Sequence, residues 1–404
     1  MILGSGLSTR AVQTPDYQGG GIVNLMSSIL QARGGHSGYP VLDALPVAEL
    51  ARATNLILLV IDGLGADWLA RHSPNGILNR ARRGTLSSVF PSTTAAAITT
   101  YLTGDAPLQH GLTGWHTYLS ELGCVMTVLP GKPRYGGVPY RQAGIDPVKL
   151  FGHASVFDRI QTRSVIVSPH FIARSDFNLA HAGRAKILAY DGLRDLFRQT
   201  LRAIRPPRRW RQSGPSEPNY LYLYWPALDT IGHEHGMEST AAVAHLVEIE
   251  QVIEDFSSAA AGTDSLLLIS ADHGQIDTTP QDNIDLADHP ELADCLLLPL
   301  CGEPRAAFCY VRADHARVFE DYCQHRLKDR VDCVHSRQLV ADGLFGFGTP
   351  HPRFMGRVGD YCLLPRGNGV IRDHLPSETP HAQIGVHGGL SEEELMVPLC
   401  VLAV

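Results

Sequence analysis

Three apolar stretches of this chain each run into an acidic residue. Asp62-Gly-Leu-Gly follows LILLVI, Asp229-Thr-Ile-Gly-His233 follows YLYLYWPAL, and Asp272-His273-Gly274 follows SLLLISA. One Asp at the end of a strand is an ordinary turn or helix cap. Three of them, two joined to a histidine, call for a different explanation. The Asp229/His233 spacing puts both side chains on one face if a helical turn follows the strand, and adjacent Asp272 and His273 can serve neighbouring centres. Carboxylate and imidazole together suit zinc or a similar borderline divalent ion. His387, within Gly385-Val-His-Gly-Gly, is a further donor where small neighbours permit close backbone approach; by itself it is uninformative.

A hydroxyl-bearing element completes the set. In Phe90-Pro-Ser-Thr93-Thr94-Ala-Ala-Ala, running on to Thr103-Gly104, a polar pair precedes a run of small residues, which reads as a helix with a Ser/Thr cap. Beyond capping, a hydroxyl there can face a bound anion, because the N–H groups and dipole of a helix N-terminus favour phosphate. A metal-ligated hydroxyl at that place would be a nucleophile.

In this order the motifs resemble the alkaline phosphatase superfamily, most closely its type I phosphodiesterase/nucleotide pyrophosphatase branch, over about 54–290 and 381–404. The resemblance implies a Thr or Ser nucleophile ten residues before the Gly of a Thr-Gly pair, which from Gly104 selects Thr94 over Thr93. It also implies two metal ions, most simply Zn2+ with Mn2+ as an alternative. Asp229, His233 and His387 would surround one, and Asp62, Asp272, His273 and the Thr94 oxygen the other. Three carboxylates and an alkoxide balance two divalent cations, so the histidines stay neutral as ligation requires. The activity implied is hydrolysis of phosphodiester or phosphoanhydride bonds through a phosphothreonine intermediate. A phosphomonoesterase or phosphonate hydrolase is the alternative, and a non-catalytic phospholigand-binding protein a more distant one.

Two positions bear on the substrate. Alkaline phosphatases carry a third, magnesium site using a Glu five residues before the Asp matched by Asp229; Tyr224 stands there, as in the diesterase branch. The phosphate-binding Asn of the diesterases, roughly twenty residues after the nucleophile, has no counterpart in His110-Gly-Leu-Thr-Gly-Trp115-His116. Backbone N–H groups, Thr113 or His116 would then substitute, or the substrate differs, and Thr113, His116 and Tyr224 are the candidate substrate-binding residues. Trp115, Tyr118 and Tyr135 could stack on a nucleobase, or simply pack. Thr94 lies in no Cys/Ser-x-Pro-x-Arg signature, which disfavours a sulfatase. The modest Thr94–Asp229 interval disfavours a phosphoglycerate mutase with its large insertion.

These residues must be held by a scaffold. Continuous apolar runs at 56–61, 164–168, 220–225 and 265–270 read as parallel strands buried on both faces. They alternate with helix-like stretches at 191–204 and 241–259. The fold class expected is α/β, an alkaline-phosphatase-like doubly wound sheet with helices on both faces and a small α+β insertion. Residues 1–53 read as an irregular lead-in packed on the main domain, 54–290 plus 371–404 as the catalytic domain, and 291–370 as the small α+β insertion, a candidate lid. Residues 203–213 read as a Pro-Arg-rich solvated connector.

Composition sets outer limits. With 404 residues, 44% of them hydrophobic and 19% charged, the chain is of globular type. A net charge of -7 argues against a nucleic-acid polymer as partner, since phosphate-backbone affinity rests on clustered cations; a small phosphate ester or nucleotide is the partner expected. The N-terminus lacks a cationic flank leading into an apolar run, and no stretch is long enough to span a bilayer. Eight cysteines contain no CxxC pair. A cytoplasmic chain with free thiols and no membrane contact is the expectation.

Overall fold

The computed structural model describes residues 13–205, 217–376, 378 and 383–404. Most of the connector expected at 203–213 lies outside the described residues.

Seven strands form the main sheet in the spatial order Arg82–Ser87, Met396–Ala403, Ser265–Ser270, Asn55–Ile61, Asn219–Trp225, Arg163–Pro169 and Lys186–Tyr190. The last five run parallel; Met396–Ala403 is antiparallel to both of its neighbours, so Arg82–Ser87 points the same way as the five. Every residue of Asn55–Ile61, Asn219–Trp225 and Ser265–Ser270 is buried, as expected of central parallel strands covered by helices on both faces. The helices Leu193–Ile204 and Thr240–Ala260 pack on each other, with the rings of Phe197 and Phe256 4.9 Å apart. The α/β doubly wound fold expected from the alternating pattern is the fold observed.

Register explains why three distant acids meet. Ile61 pairs with Trp225 and Val60 with Ser270, so the three strands stop at one level. Asp62, Asp229 and Asp272 follow at that edge, where open α/β sheets bind ligands.

Residues before 54 depart from the irregular lead-in expected of them. They contain the helix Ile22–Ala32, buried from Ile22 to Leu30. Its sequence, IVNLMSSILQA, hides its periodicity because all its faces are covered. Its polar groups are matched internally: Ser27 donates to Tyr39 O at 2.7 Å, and Asn24 Nδ2 donates to Tyr17 O at 3.0 Å.

A second, fully antiparallel sheet of seven strands has the order Val331–His335, Tyr361–Pro365, Ala306–Cys309, Cys301–Glu303, His116–Leu119, Cys124–Thr127 and Lys132–Pro133. The 291–370 segment therefore shares its sheet with strands from 116–133. The join between the two contributions is made by glycine. A Cβ on Gly114 would lie 2.5 Å from Gly302 Cα, and Gly302 itself has φ +80°, so a side chain at either position would push the segments apart.

Candidate active site and metal centre

Two of the strand-end acids, Asp62 and Asp272, each use one carboxylate oxygen for support and leave the other available, while Asp229 Oδ1, which faces the histidines, accepts from Gln275 Nε2. Tyr224 donates its phenol hydrogen to Asp62 Oδ2. The amides of Gly63 and His273 donate to Asp272 Oδ1 at 3.2 and 3.0 Å. Asp62 Oδ1 and Asp272 Oδ2 are buried without any hydrogen-bond partner. Unpaired buried carboxylate oxygens are costly unless a cation takes them up. Burial raises both carboxyls above the ordinary carboxylate range; Asp272 and Asp229 push Asp62 further up, whereas His273 pulls Asp272 down.

The histidines are arranged in the complementary way. His233 Nδ1 donates to Gly385 O at 2.7 Å, His273 Nδ1 to Gly274 O at 3.0 Å and His387 Nδ1 to Ser92 O at 3.3 Å. Each carbonyl fixes the tautomer in which Nε2 keeps its lone pair. Those Nε2 atoms converge on the acids: His233 lies 3.3 Å and His387 3.8 Å from Asp229 Oδ1, while His273 lies 3.4 Å from Asp62 Oδ1 and 3.6 Å from Asp272 Oδ2. Two groups could each hold an ion, Asp62–Asp272–His273 and Asp229–His273–His387. His273 belongs to both, so it sits between the two centres that the sequence treats as separate sets.

Thr94 opens the helix Thr94–Thr103, and its Oγ1 lies 3.1 Å from His273 Nε2. Two bonds hold this helix and the segment before it against the Asp272 loop: within the helix, Tyr101 OH donates to Ala271 O at 2.8 Å, and before it, Ser88 Oγ donates to Asp272 O. Thr93 occupies the cap position, but its side chain makes no capping bond. It donates instead to Glu303 Oε1 at 2.5 Å, so the first-turn N–H groups carry no capping side chain.

A cleft of about 640 Å³ opens over this cluster, lined among others by Thr94, His116, Asp229, His233, Glu303 and His387. Asp62, Asp272 and His273 lie beneath it, essentially without exposure. All seven nucleophile and ligand candidates are thus in one place.

The substrate candidates fare differently. His116 lines the cleft; burial, then Arg134, pulls its imidazole down to about 3, so it is neutral. Thr113 is wholly buried and donates to Arg357 O at 3.2 Å, away from the cleft lining. Tyr224 is likewise not a lining residue, because its hydroxyl is committed to Asp62. The Trp115 amide, a possible substitute for the missing Asn, donates to Glu303 Oε1 at 2.6 Å. Tyr118 packs on Tyr310 with ring centroids 5.3 Å apart, and Trp115 borders the cleft.

Glu303 is the site residue that sequence reasoning missed. It is a buried carboxylate from the second sheet, set between Gly302 and Pro304 in a stretch, 295–311, whose only other charge is Arg305. A charge so placed was the available signal. Burial pushes its carboxyl up to about 7.

The sequence model of the family described as Type I phosphodiesterase / nucleotide pyrophosphatase matches residues 56–342. This chain belongs to that family. Hydrolysis of phosphodiester or pyrophosphate bonds is therefore the activity class in which its site is placed. Among solved structures it is similar to murine ectonucleotide pyrophosphatase / phosphodiesterase 5, with a TM-score of 0.63 and 14% identity over 85% of this chain and 87% of the other. An inactive variant of that murine protein in complex with AMP gives the same values. The human counterpart has a TM-score of 0.62 at 13% identity, over 86% of this chain and 87% of the other. No curated protein matches the chain. The structural likeness supports the alkaline-phosphatase-like fold. Among the described residues no helix is long and apolar enough to cross a membrane.

Proposed function

We propose that this protein is a two-metal-dependent hydrolase of phosphodiester or phosphoanhydride bonds, acting on a small nucleotide-like ester with Thr94 as nucleophile. The observation that carries the reading is the Thr94 hydroxyl, held at a helix N-terminus 3.1 Å from His273, at the base of a cleft and against two cation-competent groups. Orphaned oxygens on Asp62 and Asp272 fit divalent cations, and the mixed Asp/His donor set favours zinc. Such ions would supply Lewis-acid stabilisation of negative charge on oxygen.

The chain's own groups do the rest. The Thr94 hydroxyl gives up its proton as Oγ forms a bond to phosphorus and the phosphorus–oxygen bond to the leaving group breaks, and in a diester the leaving oxygen takes up a proton and departs as the alcohol. The first-turn N–H groups face the phosphoryl oxygens. Water then cleaves the phosphothreonine ester, returning the hydroxyl its hydrogen and releasing the phosphorylated product. The AMP complex of the murine relative supports a nucleotide as the substrate class. Eight unjoined thiols support the cytoplasm as the compartment.

The test is hydrolysis, with zinc or manganese restored, of bis-p-nitrophenyl phosphate and thymidine-monophosphate nitrophenyl ester against p-nitrophenyl phosphate. Faster diester cleavage is expected, with turnover lost in Thr94→Ala. Faster monoester cleavage would favour the monoesterase, and activity retained without the Thr94 hydroxyl would remove the nucleophile assignment.

A further inference from the structure

Glu303 gives the cleft an acidic wall beside Trp115, which stands about twenty residues after Thr94. Its Oε1 accepts from Thr93 Oγ1 at 2.5 Å and from the Trp115 amide at 2.6 Å. Thr93 is the immediate neighbour of the nucleophile. Trp115 stands about where the Asn would be, and its N–H is used up on this carboxylate. Among the described residues no donor hydrogen-bonds Oε2, and no Arg, Lys or His forms an ion pair with Glu303. The side chain lines the same cleft as Thr94, Asp229, His233 and His387. Its approach is built in: a Cβ on Gly388, next to His387, would lie 2.7 Å from Glu303 Cβ, and Gly388 has φ +118°.

We propose that Glu303 is a specificity-determining residue that discriminates against dianionic phosphomonoesters and so directs the site to monoanionic diesters. The inference rests on the phosphoester-hydrolase reading above and deepens it. Asp62, Asp229, Asp272 and an ionised Thr94 together balance two divalent cations, and Glu303 adds one negative charge that forms no ion pair among the described residues; of the cations bordering the same cleft, Lys132, Arg134 and Arg372, Arg134 is paired with Asp373 and Glu378. A monoester dianion meets that charge with one more negative charge than a diester monoanion does. At an effective dielectric constant of about 20 and a separation of several ångströms, this difference corresponds to roughly ten- to a hundredfold in relative kcat/KM. A carboxylate that only tied Thr93 to Trp115 would, on removal, weaken both reactions together.

The experiment compares kcat/KM for p-nitrophenyl phosphate and bis-p-nitrophenyl phosphate in the full-length zinc-loaded protein and in its Glu303→Gln, Glu303→Ala and Glu303→Asp variants. It is run at about pH 8.5, where an ordinary or moderately raised carboxyl is ionised. The ratio of the two constants is independent of the fraction of protein correctly folded. In Gln or Ala, whichever folds, the monoester-to-diester ratio is expected to rise about tenfold or more. Glu303→Asp, which keeps the charge, is expected to stay near the wild-type ratio. A ratio that moves less than about threefold in the neutral variants, or falls, overturns the inference while leaving the function intact. A wild-type protein that cleaves neither ester overturns both.

Discussion

The Thr94 hydroxyl and His273 Nε2 are 3.1 Å apart across 179 positions of sequence. Neither residue is informative alone: one is a threonine at a helix start, the other a buried histidine. Together they set an oxygen against a histidine whose other nitrogen is held by Gly274 O, in contact with two acids that each keep one oxygen unsatisfied. Consequences of that arrangement can be measured separately.

Tyr224→Phe removes the hydrogen bond to Asp62 Oδ2 while keeping the ring that packs in the core. Metal affinity or kcat is expected to fall about ten- to a hundredfold, since partners that orient a ligand carry effects of that size. Titration with zinc followed by an activity assay reads both. An unchanged zinc titration and kcat would show that the phenol is only a packing group.

Asp62→Asn separates function from stability. The wild-type carboxyl is buried beside Asp272 and Asp229, and the charged form is disfavoured by burial first and by those neighbours second. With metal chelated, the neutral amide is expected to raise the melting temperature. With zinc present, the variant is expected to lose bound metal and stability relative to wild type. Calorimetry in EDTA and in zinc gives both arms, and lower stability in EDTA would count against an electrostatic load at this position.

Arg305 and Glu394 join the second sheet to the segment after His387. Arg305 Nε and Nη2 donate to Glu394 at 3.1 and 2.9 Å, both side chains are nearly inaccessible, and Gly389 N donates to Glu394 at 2.8 Å. Burial alone would raise the Glu394 carboxyl, yet Arg305 and its other partners hold it low. Arg305→Ala leaves a buried charge unpaired, and a loss of about 3–5 kcal/mol in urea unfolding is expected. Replacing both partners together with apolar residues is expected to cost less.

Half-buried His153 and fully buried His181 pair remote from the cleft lining, Nε2 to Nε2 at 2.7 Å. His181 Nδ1 donates to Phe177 O at 2.7 Å, so His181 Nε2 accepts and His153 Nε2 donates, which requires neutral His181. Burial lowers the His181 imidazole to about 4, against a weaker opposing effect of Phe177 O. The unfolded chain then takes up the proton first. Stability is full above about pH 6.5 and declines as pH falls towards 4, by on the order of 3 kcal/mol for this one group. Urea unfolding of chelated protein at several pH values, compared with His181→Gln, checks it; an equally steep acid decline in the variant would assign the effect elsewhere.

The sequence by itself determined four central strands of the main sheet and the seven residues gathered about their ends. Runs such as LILLVI and SLLLIS are legible because a central parallel strand is apolar on both faces, and the acids that end them are legible because a charge there interrupts an otherwise continuous pattern. The helix Ile22–Ala32 was not legible as such, because burial on every side erases the helical period. Tertiary structure alone decided the rest. Pairing of 116–133 with 301–365 joins segments far apart in the chain, and no local pattern records which strand meets which. That pairing carries Glu303 to Thr93, buries Thr113 away from the cleft, and leaves His116 on its wall. It is also the parallel register, and not the residue types, that turned Tyr224 towards Asp62, because which hydroxyl meets which carboxylate depends on where neighbouring strands stop.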